Sequence, residues 1–126
     1  MRRALLAAAF LCLALPAATS ALPPPKRPID SYCSTTGDLC YGIYNAGGIV
    51  FRITTQARYF ARYSVCVRPP RGATRCRSAP LQGQGSVWGS SISWPRGYGN
   101  RGPGVYRVTW KHAGRRLGPT LRFTRR

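Results

Sequence analysis

Acidic side chains are almost absent from this 126-residue chain. Two aspartates, Asp30 and Asp38, face 20 lysines and arginines, and the formal net charge is +18. Histidine is equally scarce, because His112 is the only one. Hydrolytic enzymes commonly use paired carboxylates, a histidine with an orienting acid, or a metal ion. Each of these mechanisms requires acidic side chains, histidines or cysteines. The shortage argues against an enzyme, and the charge predicts attraction to phosphate, sulfate or carboxylate polymers.

Long apolar runs are also missing after the N-terminus. Arg2 and Arg3 precede one apolar run, residues 4–18, and small residues follow it. This order is typical of a secretory signal peptide. The run is shorter than the roughly 20 residues that span a membrane. We therefore predict that residues 1–21 are a signal peptide and that the product is secreted, either extracellular or associated with the cell envelope.

Signal removal takes Cys12 away and leaves an even set of four cysteines, Cys33, Cys40, Cys66 and Cys76. In a short exported chain, an even set predicts disulfides. Their spacing is too long for a typical zinc site, and histidine is scarce, so no metal or other cofactor is expected. Four cysteines allow three pairings. We favour the local one, Cys33 with Cys40 and Cys66 with Cys76, because each bridge then closes a short loop.

No segment keeps the apolar period of a helix. Residues 22–31 are rich in proline and form a basic, extended lead-in. Residues 32–126 alternate in short runs separated by glycine and proline, which predicts an all-β domain. The predicted strands cover residues 39–45, 49–55, 59–68, 75–81, 86–94, 105–111 and 117–124. About seven strands with two local disulfides favour an immunoglobulin-like sandwich.

One local pattern supports this fold class. Gly104-Val105-Tyr106-Arg107-Val108 places a tyrosine just inside the sixth strand, after a corner. The pattern resembles the tyrosine corner of immunoglobulin and fibronectin type III domains, which implies that the Tyr106 hydroxyl bonds back to the corner backbone. The ending, with residues 106–110, 117–119 and 121–123, resembles small exported bacterial sandwich proteins of unknown role. So do Tyr32-Cys33 and Thr36-Gly37-Asp38-Leu39-Cys40. Tyr106 and Trp110 are accordingly expected to be structural residues.

The arginines are informative by position. In an immunoglobulin-like sandwich the third, sixth and seventh strands are neighbours in one sheet. Strand alternation then predicts a basic and hydroxylated outer face on that sheet. Its members would be Arg62, Ser64, Arg68, Arg107, Thr109, Lys111, Thr120, Arg122 and Thr124, extended by Arg115, Arg116, Arg125 and Arg126. Arg62, Arg68, Arg107, Lys111 and Arg122 are the candidate polyanion-binding residues, because arginine's planar fork matches phosphate, sulfate and carboxylate.

The favoured hypothesis is a non-enzymatic, low-specificity binding domain for an anionic polymer. A cell-wall polymer, an acidic polysaccharide and nucleic acid are the candidate partners. The alternative is a small carrier or inhibitor module with an apolar crevice at one end of the sandwich, lined by Trp88, Trp94 and Tyr98. A cleft that placed His112 against Asp38 and a serine would instead favour an enzyme. The basic face could also have no binding role. In that interpretation it is a solvated surface, and its many arginines reflect only the composition of the genome.

Overall fold

This computed structural model of the protein describes residues 27–126. The predicted signal peptide and the first residues of the lead-in lie outside the described residues. Within residues 27–126 the chain forms strands and turns without a helix, so this part of it contains no helix suited to crossing a membrane. The prediction of an all-β fold is therefore confirmed for this range.

Ten strands form two sheets. The strands are β1 (Asp30–Cys33), β2 (Leu39–Asn45), β3 (Ile49–Thr55), β4 (Arg62–Arg68), β5 (Arg75–Pro80), β6 (Gln82–Gln84), β7 (Val87–Ser93), β8 (Gly104–His112), β9 (Arg115–Arg116) and β10 (Leu121–Arg125). One sheet has the order β1-β2-β3-β7-β6. The other has the order β10-β8-β4-β5, with β9 paired to β8. All strand pairs are antiparallel.

Aromatic side chains fill the space between the two sheets. Trp110 of β8 is completely buried and stacks on Tyr41 of β2, with ring centroids 4.4 Å apart. Phe51 of β3 meets the same indole edge-on at 6.0 Å. On the β8 and β10 side, Tyr106 stacks on Phe123 at 4.9 Å. These rings bury a large apolar area, so the aromatic core provides much of the free energy that holds the sheets together. Trp110, which was expected to be a structural residue, belongs to this core.

Both predicted disulfides are present. Cys33 is bonded to Cys40 and Cys66 to Cys76. Within each pair the two cysteines lie directly opposite one another in neighbouring strands, β1 with β2 and β4 with β5. Each bridge therefore closes a hairpin within one sheet.

The hydroxyl-to-backbone bond expected of Tyr106 is present. Tyr106 is buried at the start of β8, and its hydroxyl donates to the carbonyl of Gly102 at 2.7 Å. The backbone amide of Arg101 donates to the same hydroxyl at 3.0 Å. The side chain thus fixes the end of the glycine-rich loop that leads into β8.

The third predicted strand begins later than expected. The alternation pattern predicted a strand from Tyr59, whereas β4 starts at Arg62. Tyr59 is half exposed, and Phe60 is buried and stacks on His112, with ring centroids 4.7 Å apart. Ala61 still accepts a backbone hydrogen bond from the amide of Leu81, and the regular strand begins at the next residue. The short strands β1, β6 and β9 are additional to the predicted set.

Candidate anion-binding face

The outer face of the β10-β8-β4-β5 sheet carries three arginines in line. Arg107 of β8 lies opposite Arg122 of β10 on one side and Arg68 of β4 on the other. All three are exposed. Neighbouring strands are about 4.8 Å apart, so these side chains leave the sheet close together. Like charges directly opposite one another destabilise a sheet, and a bound anion would reverse that effect. We call Arg68, Arg107 and Arg122 the arginine row.

A row of hydroxyls and sulfur lies next to the arginine row, two residues along the strands. Thr109 is paired with Cys66, which is bonded to Cys76. The hydroxyl of Thr120 lies 2.9 Å from that of Thr109. Both threonines are half-buried. They therefore offer polar atoms at the base of the face while most of each side chain is covered.

Two further cations close the other side of this row. Lys111 of β8 lies opposite Ser64 of β4 and is also paired with Arg116 of β9. The result is a groove of about 250 Å³ that we call the threonine groove. It is lined by Cys66, Arg68, Thr74, Arg107, Thr109, Lys111, Arg116 and Thr120. Its lining has four cations and no acid, so the local potential is positive.

Two more depressions flank the arginine row. One of about 490 Å³ is lined by Arg68, Pro69, Pro70, Val105 and Arg107. It lies on the opposite side of the Arg68–Arg107 pair from the threonine groove and combines these two cations with three apolar side chains. The other, of about 720 Å³, is lined by Ile29, Asp30, Arg122, Phe123, Thr124 and Arg126. An extended ligand crossing the row would therefore find concave surface on both sides.

The aspartate in the 720 Å³ depression reduces the positive charge at one end of the row. The carboxylate of Asp30 accepts hydrogen bonds from the backbone amides of Ser31 and Arg122, each at 3.0 Å. Asp30 was expected in the extended lead-in, but it starts β1 and lies opposite Ile43. Because this acid lies beside Arg122, the most positive part of the row is the Arg68–Arg107 end.

The five candidate polyanion-binding residues do not form one cluster. Arg68, Arg107 and Lys111 line the threonine groove, and Arg122 ends the arginine row. Arg62 lies toward β5, where its Nε donates to the Ser78 hydroxyl at 3.2 Å. Arg116, which was expected to extend the face, forms part of the groove wall. Thr74 was missed, because it lies in the loop before β5, where strand alternation gives no information.

His112 and Asp38, the residues that an enzyme would have to use, each contact other parts of the fold. The ring of His112 stacks on Phe60, and its Nδ1 lies 3.1 Å from the carbonyl oxygen of Arg62. Asp38 lies in the turn before β2, where its backbone carbonyl accepts from the amide of Gln56 at 2.9 Å. Across residues 27–126, no three histidine, cysteine or acidic side chains are grouped as a metal site would need.

The aromatic residues of the alternative crevice are largely part of the core. Trp94 and Tyr98 are buried, and the Tyr98 hydroxyl donates to the carbonyl of Val65 at 2.9 Å. Burial raises the pKa of Tyr98 well above its usual range, with the nearby Arg77 opposing the shift. Trp88 is half-buried, and the guanidinium of Arg58 lies 5.5 Å from its ring centroid. Trp94 and Tyr98 are therefore not available to line an open binding crevice.

No protein-family model matches this chain, and no curated protein matches it significantly. Among solved structures, the chain is similar to a crystal structure of the Br derivative of BhCBM56, a carbohydrate-binding module. The two share 17% sequence identity over 76% of this chain and 99% of the other, with a TM-score of 0.38. At that TM-score the likeness does not support an assignment of function.

Proposed function

We propose that this protein is a non-enzymatic binding domain for anionic polymers, and that the arginine row and the threonine groove form its binding face. One observation supports this most directly. Three strands place Arg68, Arg107 and Arg122 side by side, next to a groove lined by four cations and no acid. A solvated surface of average composition would distribute these charges among acids, and this chain has two acids in total. An anionic ligand offsets the repulsion within the row.

The expected mode of binding is electrostatic. Each guanidinium can engage phosphate, sulfate or carboxylate oxygens through two parallel N–H donors. Binding of a charged polymer to such a face releases condensed counterions, so affinity falls as salt rises. The polymer would cross the row from β10 to β4, because that is the direction in which the guanidinium groups follow one another.

The proposed place of action is the extracellular space or the cell envelope. The N-terminal pattern of residues 1–21 supports export. The two disulfides in residues 33–76 agree with an oxidising compartment. Anionic wall polymers and acidic polysaccharides would be available to an exported protein in either location.

We further propose an immunoglobulin-like arrangement of the strands. Seven of the ten strands have five residues or more: β2, β3, β4, β5, β7, β8 and β10. The third, sixth and seventh of these share one sheet, and the tyrosine corner precedes the sixth, as in immunoglobulin-like domains. The fourth pairs with the third, whereas immunoglobulin constant domains place it in the opposite sheet.

The decisive experiment measures how binding depends on salt. A short DNA duplex serves as a probe of known charge density, with heparin in parallel. We expect the logarithm of the association constant to fall linearly with the logarithm of the salt concentration. The triple variant R68Q/R107Q/R122Q should reduce that slope by about two to three, since each lost phosphate contact lowers it by about one.

A matched triple variant distinguishes the effect of the arginine row from the effect of total charge. R52Q/R58Q/R96Q removes the same charge from exposed positions outside the arginine row, with Arg52 in the other sheet. It should change the slope by less than one. The proposal is wrong if the two triple variants weaken binding equally, or if binding is unchanged up to high salt.

A further inference from the structure

We propose that the threonine groove is a discrete subsite for one tetrahedral oxyanion, a phosphate or sulfate group carried by the polymer. This inference rests on the proposed function and gives the ligand class. It predicts a preference for phosphorylated or sulfated polymers over carboxylated ones, which attraction to a basic surface would not produce by itself.

The two threonine hydroxyls at the base of the groove have one O–H group that their mutual hydrogen bond does not use. Thr109 and Thr120 lie 2.9 Å apart, and either hydroxyl can be the donor between them. Only one of the two hydroxyl hydrogens is used by that bond. The other is free to point into the groove, since each hydroxyl carries one hydrogen and two lone pairs. A half-buried hydroxyl between cations is well placed to donate to an anion's oxygen.

The cations approach this donor from two sides. Arg68 and Arg107 lie in the arginine row, and Lys111 and Arg116 lie two residues beyond Thr109 in the other direction. Two residues of a strand span about 7 Å, so the threonine row lies about 7 Å along the strand from each cationic row, a distance that arginine and lysine side chains can lean across. A group seated over the threonines therefore meets donors from below and from both sides.

That arrangement matches a tetrahedral anion better than a planar one. Phosphate and sulfate groups direct their oxygens outward in three dimensions, so different oxygens can meet the floor and the two walls. A carboxylate has two oxygens in one plane, and the two parallel N–H donors of a single arginine can bind both of them. The threonine floor therefore adds contacts for phosphate and sulfate that a carboxylate cannot use at the same time.

The size of the groove points to a single group. Its volume of about 250 Å³ is below the range of roughly 300–1,000 Å³ that is usual for pockets holding a drug-sized ligand. One phosphate or sulfate group with its linking atoms fits such a space. The rest of the polymer would follow the arginine row between β10 and β4, beside the 490 Å³ depression that Pro69, Pro70 and Val105 help to line.

The test uses inorganic phosphate, inorganic sulfate and acetate at constant ionic strength. Backbone amide chemical shifts of the folded, disulfide-bonded protein are followed by NMR. Phosphate and sulfate should produce saturable shifts centred on Thr109, Thr120 and Arg107, with an affinity at least about tenfold above that of acetate. Equal affinities for all three anions, or shifts spread evenly over the arginines, would overturn the subsite.

Two variants examine the floor and the wall separately. T109V/T120V removes both hydroxyls at nearly constant shape, and we expect phosphate and sulfate binding to weaken about tenfold while acetate binding is unchanged. Arg116→Gln leaves the hydroxyl pair in place and should weaken phosphate and sulfate binding about threefold to tenfold. Thr54→Val is the control, because Thr54 is half-buried and paired with Cys40 and Gly89 in the other sheet. A loss of affinity in Thr54→Val as large as in T109V/T120V would contradict the proposal.

Polymers of matched charge density then separate the two proposals. Polyphosphate, dextran sulfate and polygalacturonate represent phosphate, sulfate and carboxylate. Tighter binding of the first two supports the subsite, and the stronger of them identifies the group. Equal binding of all three, still reduced by R68Q/R107Q/R122Q, would refute the subsite and leave the general polyanion function standing. Failure of all three to bind would refute the general function.

Discussion

Arg107 should destabilise the free protein in which it sits. It lies at the centre of the arginine row, between Arg68 and Arg122, and all three side chains are exposed. Replacing Arg107 by glutamine keeps part of the aliphatic stem and removes the charge. We therefore expect R107Q to raise the free energy of unfolding in the absence of any ligand, although it weakens anion binding.

The magnitude follows from two like-charge pairs. Cross-strand pairs are worth about 0.2–1 kcal/mol each, and two unit charges 6 Å apart in water repel by about 0.7 kcal/mol. Because the long side chains can splay apart, we take about 1 kcal/mol for both pairs together at low salt. For a domain of about 100 residues this corresponds to a rise of about 4 °C in the melting temperature.

Thermal unfolding followed by circular dichroism at two salt concentrations checks this value. In about 1 M salt the Debye length is about 3 Å, so most of the gain should disappear. Arg52→Gln is the matched control, since Arg52 lies opposite the uncharged Gly42 and Ser91 in the other sheet. It should give no gain and a small loss, because the Arg52 guanidinium lies 5.6 Å from the Tyr44 ring centroid. A destabilised R107Q, or a gain that persists in high salt, would refute the argument from charge repulsion.

Two further predictions concern tyrosines. Tyr106→Phe removes the hydroxyl that bonds to Gly102 and Arg101, and should lower the free energy of unfolding by about 1–2 kcal/mol in urea titrations; an unchanged urea midpoint would show that the corner bonds contribute nothing. Burial raises the pKa values of Tyr41, Tyr63 and Tyr98 in the folded state, so the folded protein holds protons that the unfolded chain loses above the ordinary tyrosine pKa of about 10. Stability should therefore be complete below pH 10 and fall as the pH rises above it, by up to about 1.4 kcal/mol per pH unit for each tyrosine, and flat stability from pH 9 to 12 would contradict this.

Much of the fold could be predicted because its signals are local. Alternation with flanking glycines predicted Leu39–Asn45 and Ile49–Thr55 with the bounds that the structure has. The disulfide pairing followed from short loop lengths. The start of β4 could not be predicted, since the alternation pattern continues back to Tyr59, whereas the structure turns Phe60 inward onto His112, which is distant in the sequence. The short strands β6 and β9 carry no apolar alternation of their own, and their pairing with longer neighbours creates them.

The candidate face was likewise predictable in part. Alternation along β4, β8 and β10 was sufficient to place Arg68, Arg107 and Arg122 on an outer face. Their alignment in one row depends on the register between strands, which the sequence does not state. The threonine groove depends in addition on Arg116, held by the final hairpin, and on Thr74 in a loop. The row and the groove could therefore not be predicted without the pairing of the strands in the folded structure.

The position of the two disulfides has a consequence for biosynthesis. Each joins residues that already face one another in a hairpin, 7 and 10 residues apart in the chain. Oxidation of either pair therefore needs only local structure. The wrong pairings would link β1 or β2 with β4 or β5, which belong to opposite sheets. A newly made chain should consequently reach its correct covalent state with little help from disulfide exchange, and the association of the two sheets is left to the aromatic core.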